Sequence, residues 1–82
     1  MFIWGMVMQH YANRSGRSGV VAYEIGTDAI TVKFMGGERY EYTVASAGAA
    51  NIARMCELAE KGLGLSTFIS QHARERYARK LD

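Results

Sequence analysis

Between Ile30 and Tyr42, apolar and polar side chains alternate along two runs that meet at Gly36-Gly37. Period-two alternation on both sides of a glycine pair predicts a β-hairpin. Ile30, Val32 and Phe34 share one face of the first strand, and Tyr40 and Tyr42 share one face of the second. Two registers fit. A two-residue Gly-Gly loop pairs Met35 with Glu38, Phe34 with Arg39 and Lys33 with Tyr40, so that the tyrosines join Thr31 and Lys33 on a surface platform. A three-residue loop ending in a bulge pairs Phe34 with Tyr40 and Val32 with Tyr42, which gathers all five large side chains on one face. A slip of one residue carries a whole strand's side chains to the other face, so the register decides whether the tyrosines are core or surface. Burial of apolar area favours the bulged register.

The same reading extends outward. Val20–Ile25 is rich in β-branched residues and predicts a first strand. Gly26-Thr27-Asp28 is a turn, and Val44 ends the third strand. Ser46 is a candidate N-cap for a helix to about Lys61. Its buried stripe is Ala49, Ile52, Met55, Cys56 and Ala59, with Leu58 on the flank and Arg54, Glu57 and Lys61 on another face. Gly62 is placed to end it in a left-handed cap. After the connector Leu63-Gly64-Leu65, Ser66 is a second N-cap for a helix to about Lys80. Phe68, Ile69, Ala73 and Tyr77 form its apolar stripe. His72, Arg76, Arg79 and Lys80 form a basic face that Glu75, four residues before Arg79, partly offsets. The fold class is α+β: a three-stranded antiparallel β-meander followed by two C-terminal helices packed on one face.

Residues 1–8 are apolar, and three readings are open for them: an extra strand, an arm that docks on a neighbouring subunit, or an extension upstream of a start at Met8. The run is too short for a membrane span, which needs about 20 residues, and lacks the basic lead and cleavage site of a signal peptide. The expected setting is the cytoplasm. His10–Ser18 has loop composition, and its Arg14 and Arg17 would either touch phosphate or sit in a solvated linker. Residues 1–17 are thus an N-terminal arm or extra strand, and residues 18–82 a single domain.

Composition narrows the chemistry. With 82 residues and 49% apolar side chains, the chain has the make-up of one folded domain. A chain of this size buries only about 60–65% of its unfolded surface, which leaves room for help from a partner subunit. The net charge of +2 does not by itself assign a polyanion partner. The single cysteine, Cys56, excludes an internal disulfide and reads as a buried helix thiol. His10 and His72 lack metal-ligand spacing, and no cofactor motif is present.

Ile30–Phe34, a Gly turn, Tyr40-Glu41-Tyr42, a helix ending in Lys61-Gly62 and then a capped helix together resemble the small bacterial KTSC family, named after a domain at the C-terminus of some lysyl-tRNA synthetases. Its Tyr-x-Tyr motif is matched by Tyr40 and Tyr42, and its Lys-Gly pair by Lys61-Gly62. Ser18, Tyr23, Ser66 and Ile69 also fall where the family has similar residues. The resemblance runs from about residue 18 to 75. Departures are Val44-Ala45-Ser46 in place of Val-Pro, a slightly longer first helix, and Leu63-Gly64-Leu65 where an aromatic is expected. The family has no established activity, and the resemblance implies RNA binding as a function to test.

The residues leave three functions open. The first is a non-catalytic RNA-binding module using Lys33, Tyr40, Tyr42, Lys61, Arg76, Arg79 and Lys80, with bases on the rings and cations on the phosphates. The second is a self-associating or protein-binding module, such as a homodimer, using the apolar N-terminus and an open sheet edge. The third, an enzyme, finds no Ser-His-Asp set, metal cluster or phosphate loop, and Cys56 with His72 would act only if the fold joined them. No catalysis is expected.

Overall fold

The computed structural model describes residues 8–81. The described elements are β1 (Gln9–His10), β2 (Val20–Ile25), β3 (Ala29–Phe34), β4 (Arg39–Thr43), α1 (Val44–Ala47), α2 (Ala49–Lys61), α3 (Leu65–Phe68), which widens into a π-helical turn over Ile69–Ala73, and β5 (Arg79–Leu81). The strands form one antiparallel sheet in the order β1-β2-β3-β4-β5, with the helices against one face. The α+β class and the central meander stand as expected. The sheet, however, has five strands rather than three, because a short strand is added at each edge. The N-terminal readings concern residues 1–7 and lie outside the described residues, apart from Met8.

The hairpin takes neither predicted pairing. Val32 faces Tyr40, Ile30 faces Tyr42 and Lys33 faces Arg39. The loop is Met35-Gly36-Gly37: the Gly37 N–H donates to the Phe34 carbonyl at 2.8 Å and the Phe34 N–H to the Glu38 carbonyl at 2.9 Å. Gly37 sits at φ 97°, where glycine avoids the strain of a side chain. This pairing is offset by two residues from the bulged register, so the faces are unchanged. Ile30, Val32, Phe34, Tyr40 and Tyr42 point to the helices, and Thr31, Lys33, Arg39 and Glu41 point away.

Thr43, not Ser46, caps the first helix. The Ser46 N–H donates to Thr43 Oγ1 and the Thr43 N–H to Ser46 Oγ, both at 3.0 Å. This reciprocal box is stable because each hydroxyl satisfies a backbone donor with no helical partner. Val44 therefore opens a helix instead of ending a strand. Gly48 separates α1 from α2, and Ile52, Met55, Leu58 and Ala59 form the buried stripe of α2. Cys56 is half-buried and Ala49 is exposed, since the break at Gly48 turns the start of α2 away from the sheet. Gly62 ends α2 in the left-handed region (φ 73°, ψ 26°), as its position implied.

Gly64, not Ser66, precedes α3, and the last helix does not reach Lys80. Helical structure ends at Ala73, and the chain returns to pair Arg79–Leu81 with β4. The Ala78 N–H donates to the Glu41 carbonyl at 2.6 Å. A helix continued past Ala73 would leave the outer backbone groups of β4 without these partners and carry Tyr77 away from the sheet. The basic face of that helix does not form.

The polar stretch before β2 also departs from a solvated loop. Tyr11 is 1% exposed, its N–H donates to the Val21 carbonyl, and its hydroxyl accepts the Leu65 N–H at 3.2 Å. Arg14 lies along the end of α2: its N–H donates to the Gly62 carbonyl at 2.7 Å and its Nε to the Lys61 carbonyl at 2.8 Å. Among the described residues, no helix is long and apolar enough to cross a membrane.

Candidate functional site

Alternation places Phe34, Tyr40 and Tyr42 on the helix-facing side of β3 and β4, and the return of the chain after Ala73 brings Tyr77 over them. Tyr42 is 2% exposed and forms the floor. Tyr40 is half-buried. Tyr77 is 36% exposed and forms the outer wall. The Tyr40 and Tyr77 ring centroids are 4.8 Å apart at 58°, Phe34 meets Tyr40 edge-on at 5.8 Å, and Tyr77 meets Tyr42 edge-on at 6.2 Å. These are the inclined contacts that aromatic quadrupoles favour. The Lys80 ammonium lies 5.8 Å from the Tyr40 centroid, within cation–π range.

These rings and Ile69 line an open groove of about 380 Å³, bordered by Arg74, Glu38 and Glu75. Burial pushes the Tyr42 hydroxyl up to about 12, with the neighbouring Tyr40 and Tyr77 hydroxyls adding to the effect. Tyr42 is therefore a neutral floor at ordinary pH. The groove offers aromatic surface with one cation, Arg74, and two carboxylates, Glu38 and Glu75, at its border, and the Lys80 ammonium stands close by over Tyr40.

The residues expected to bind nucleic acid are divided by the sheet. Tyr40, Tyr42 and Lys80 come together at the groove. Lys33 and Arg79 lie on the opposite face, where Arg79 Nε donates to Glu41 Oε1 at 2.7 Å. Arg76 is exposed in the segment leading to β5, and Lys61 is exposed at the end of α2. An exposed platform of both tyrosines is ruled out by the burial of Tyr42. Phe34, Arg74 and Tyr77 were missed as groove residues. Tyr77 fits the helical stripe of Phe68, Ile69 and Ala73, so no periodic signal separated it from a helix core.

The other candidates have local roles. His72 packs its ring 4.7 Å from that of Phe68, and no hydrogen bond joins it to Cys56 among the described residues. Burial and the nearby Glu60 raise the Cys56 thiol, which makes it a poorer nucleophile. Arg54 and Glu57, three residues apart on the exposed face of α2, form an ion pair at 2.8 Å, and this hydrogen bond holds the Glu57 carboxyl below its usual range. Among the described residues, no three of His, Cys, Asp and Glu gather closely enough to hold a metal ion. Compared with protein-family models, curated proteins and solved structures, the chain matches none.

Proposed function

We propose that this chain is a small non-catalytic interaction module of the cytoplasm that binds single-stranded RNA, one base entering the groove beside Tyr40 and Tyr77. The observation that carries the reading is Tyr40 itself, a half-buried ring that lines an open groove, beside the Tyr77 ring and within cation–π range of the Lys80 ammonium. A base stacks on such a ring whatever its identity, and neighbouring cations follow the backbone. Arg74, Arg76 and Lys80 lie on the segment that forms the outer wall, and none is in an ion pair among the described residues. Glu38 and Glu75 at the border repel phosphate, so the base end enters. On this reading the chain is a KTSC-like domain whose Tyr-x-Tyr motif supplies one presented ring and one floor.

A partner or second copy adding a strand would pair with β1, two residues long, or β5, three residues long. So few ladder bonds hold a partner weakly, which places self-association behind RNA.

The test is titration of a labelled single-stranded RNA at low and moderate salt. Tyr77→Ala, at an exposed ring, is expected to stay folded and lose most of the affinity. Arg74→Gln with Arg76→Gln is expected to flatten the salt dependence. Absence of binding by the wild type at low salt would sink the proposal.

A further inference from the structure

Lys33 and Arg39 stand directly opposite each other in the β3–β4 ladder, on the face turned away from the helices. Cβ atoms of such pairs are roughly 5 Å apart, and like charges so placed destabilise a sheet. The ladder registers set them in one row across the sheet: His10, Ala22, Lys33, Arg39 and Leu81. No carboxylate stands in that row. The adjacent row carries Glu24, Thr31, Glu41 and Arg79. Its Glu41 accepts from Arg79, and among the described residues neither Glu24 nor Glu41 forms an ion pair with Lys33 or Arg39. Arg39 borders a second depression with those two glutamates. Over the row itself lies a depression of about 500 Å³, lined by Met8, Ala22, Lys33, Gly37 and Arg39. The small Ala22 and Gly37 leave the two cations open to a ligand between them.

We infer that Lys33 and Arg39 form an anion site for a phosphate group on the face of the sheet turned away from the helices. A phosphate between them turns a repulsive pair into two charge-assisted contacts, and the planar guanidinium suits two phosphate oxygens at once. The site lies across the sheet from the aromatic groove and does not depend on RNA entering that groove. The phosphate would belong to a nucleic-acid backbone or to a free phosphate.

The test is thermal unfolding of the full chain, in chloride alone and with millimolar inorganic phosphate at matched ionic strength. Wild type, Lys33→Gln and Arg39→Gln are compared. A ligand that binds only the folded state raises the melting temperature. Phosphate is expected to raise that of the wild type by a few degrees and to leave both variants unchanged. In chloride, Lys33→Gln is expected to melt above the wild type, because the repulsion is gone. A wild type indifferent to phosphate, variants that respond as strongly as the wild type, or a Lys33→Gln that melts lower in chloride would each overturn the site. Binding of an eight-residue oligouridylate then separates the sources. Weaker binding by Lys33→Gln assigns the phosphate to a nucleic-acid backbone, and equal or absent binding in both proteins, with the phosphate response intact, assigns it to a free phosphate.

Discussion

The Tyr11 hydroxyl accepts the backbone N–H of Leu65 at 3.2 Å, across 54 positions of sequence, with both residues buried. With the Tyr11 N–H donating to the Val21 carbonyl, this bond ties the start of α3 to the sheet. Tyr11→Phe keeps the ring and leaves the Leu65 N–H buried without a partner. Such an orphaned donor costs about 1–3 kcal/mol. In a domain of this size each kcal/mol lowers the melting temperature by about 4–8 °C. Thermal unfolding followed by circular dichroism should therefore show a drop of several degrees, whereas a tyrosine in a solvated loop would show none.

Tyr42 and Tyr77 should behave as opposites although their rings touch. Truncating a large buried aromatic costs about 3–5 kcal/mol, so Tyr42→Ala should lose much of a small domain's stability. Tyr77→Ala removes a ring that is 36% exposed together with its contacts to Tyr40 and Tyr42, and should lower the urea midpoint far less than Tyr42→Ala does. If the groove binds a base, only Tyr77→Ala separates binding from folding. Equal loss of stability in both variants would show that the wall belongs to the core.

The central meander was legible because its signals are local: β-branched alternation, a Gly-Gly turn and the left-handed cap at Gly62. The face of each hairpin residue was also legible, since parity survives the two-residue offset between the expected pairing and Val32 opposite Tyr40. What was not legible depends on distant partners. Tyr11 sits in the polar stretch His10–Ser18 that reads as loop, and its partners Leu65 and Val21 explain its burial. Tyr77 extends the helical stripe of Phe68, Ile69 and Ala73 toward Lys80, yet the outer edge of β4 claims Arg79–Leu81 and the ring of Tyr40 claims Tyr77. Long-range pairing overrode local periodicity there. The candidate groove is legible in part for the same reason: Tyr40, Tyr42 and Lys80 stand out in the sequence, whereas Tyr77 reads as part of a helix.

Gly62 is fixed on two grounds. Its φ of 73° disfavours any side chain, and a Cβ there would collide with the Cβ of Ala12. The left-handed backbone alone costs of order 1 kcal/mol in a residue bearing a Cβ. Gly62→Ala should exceed that figure, because the collision pushes the Arg14 segment off the end of α2. Repeating the substitution in an Ala12→Gly background should recover part of the loss. The remainder measures backbone strain and the close approach of the residue 12 main chain. Full recovery would mean that the left-handed cap contributes nothing.

Tyr42 also predicts how the fold responds to alkali. In the unfolded chain a tyrosine ionises at about 10, whereas in the folded protein burial pushes Tyr42 up to about 12. Below about pH 10 the residue is neutral in both states. Between about 10 and 12 the unfolded chain has released the proton and the folded one still holds it, so the unfolded state binds fewer protons and stability falls as pH rises. The contribution is thus fully present below the lower value and is lost as pH rises through the upper. Tyr42→Phe removes this proton while keeping the floor of the groove. Urea midpoints measured across this window should decline more steeply for the wild type than for Tyr42→Phe. Parallel declines would mean that the Tyr42 hydroxyl reaches water, and the floor of the groove would then be open rather than closed.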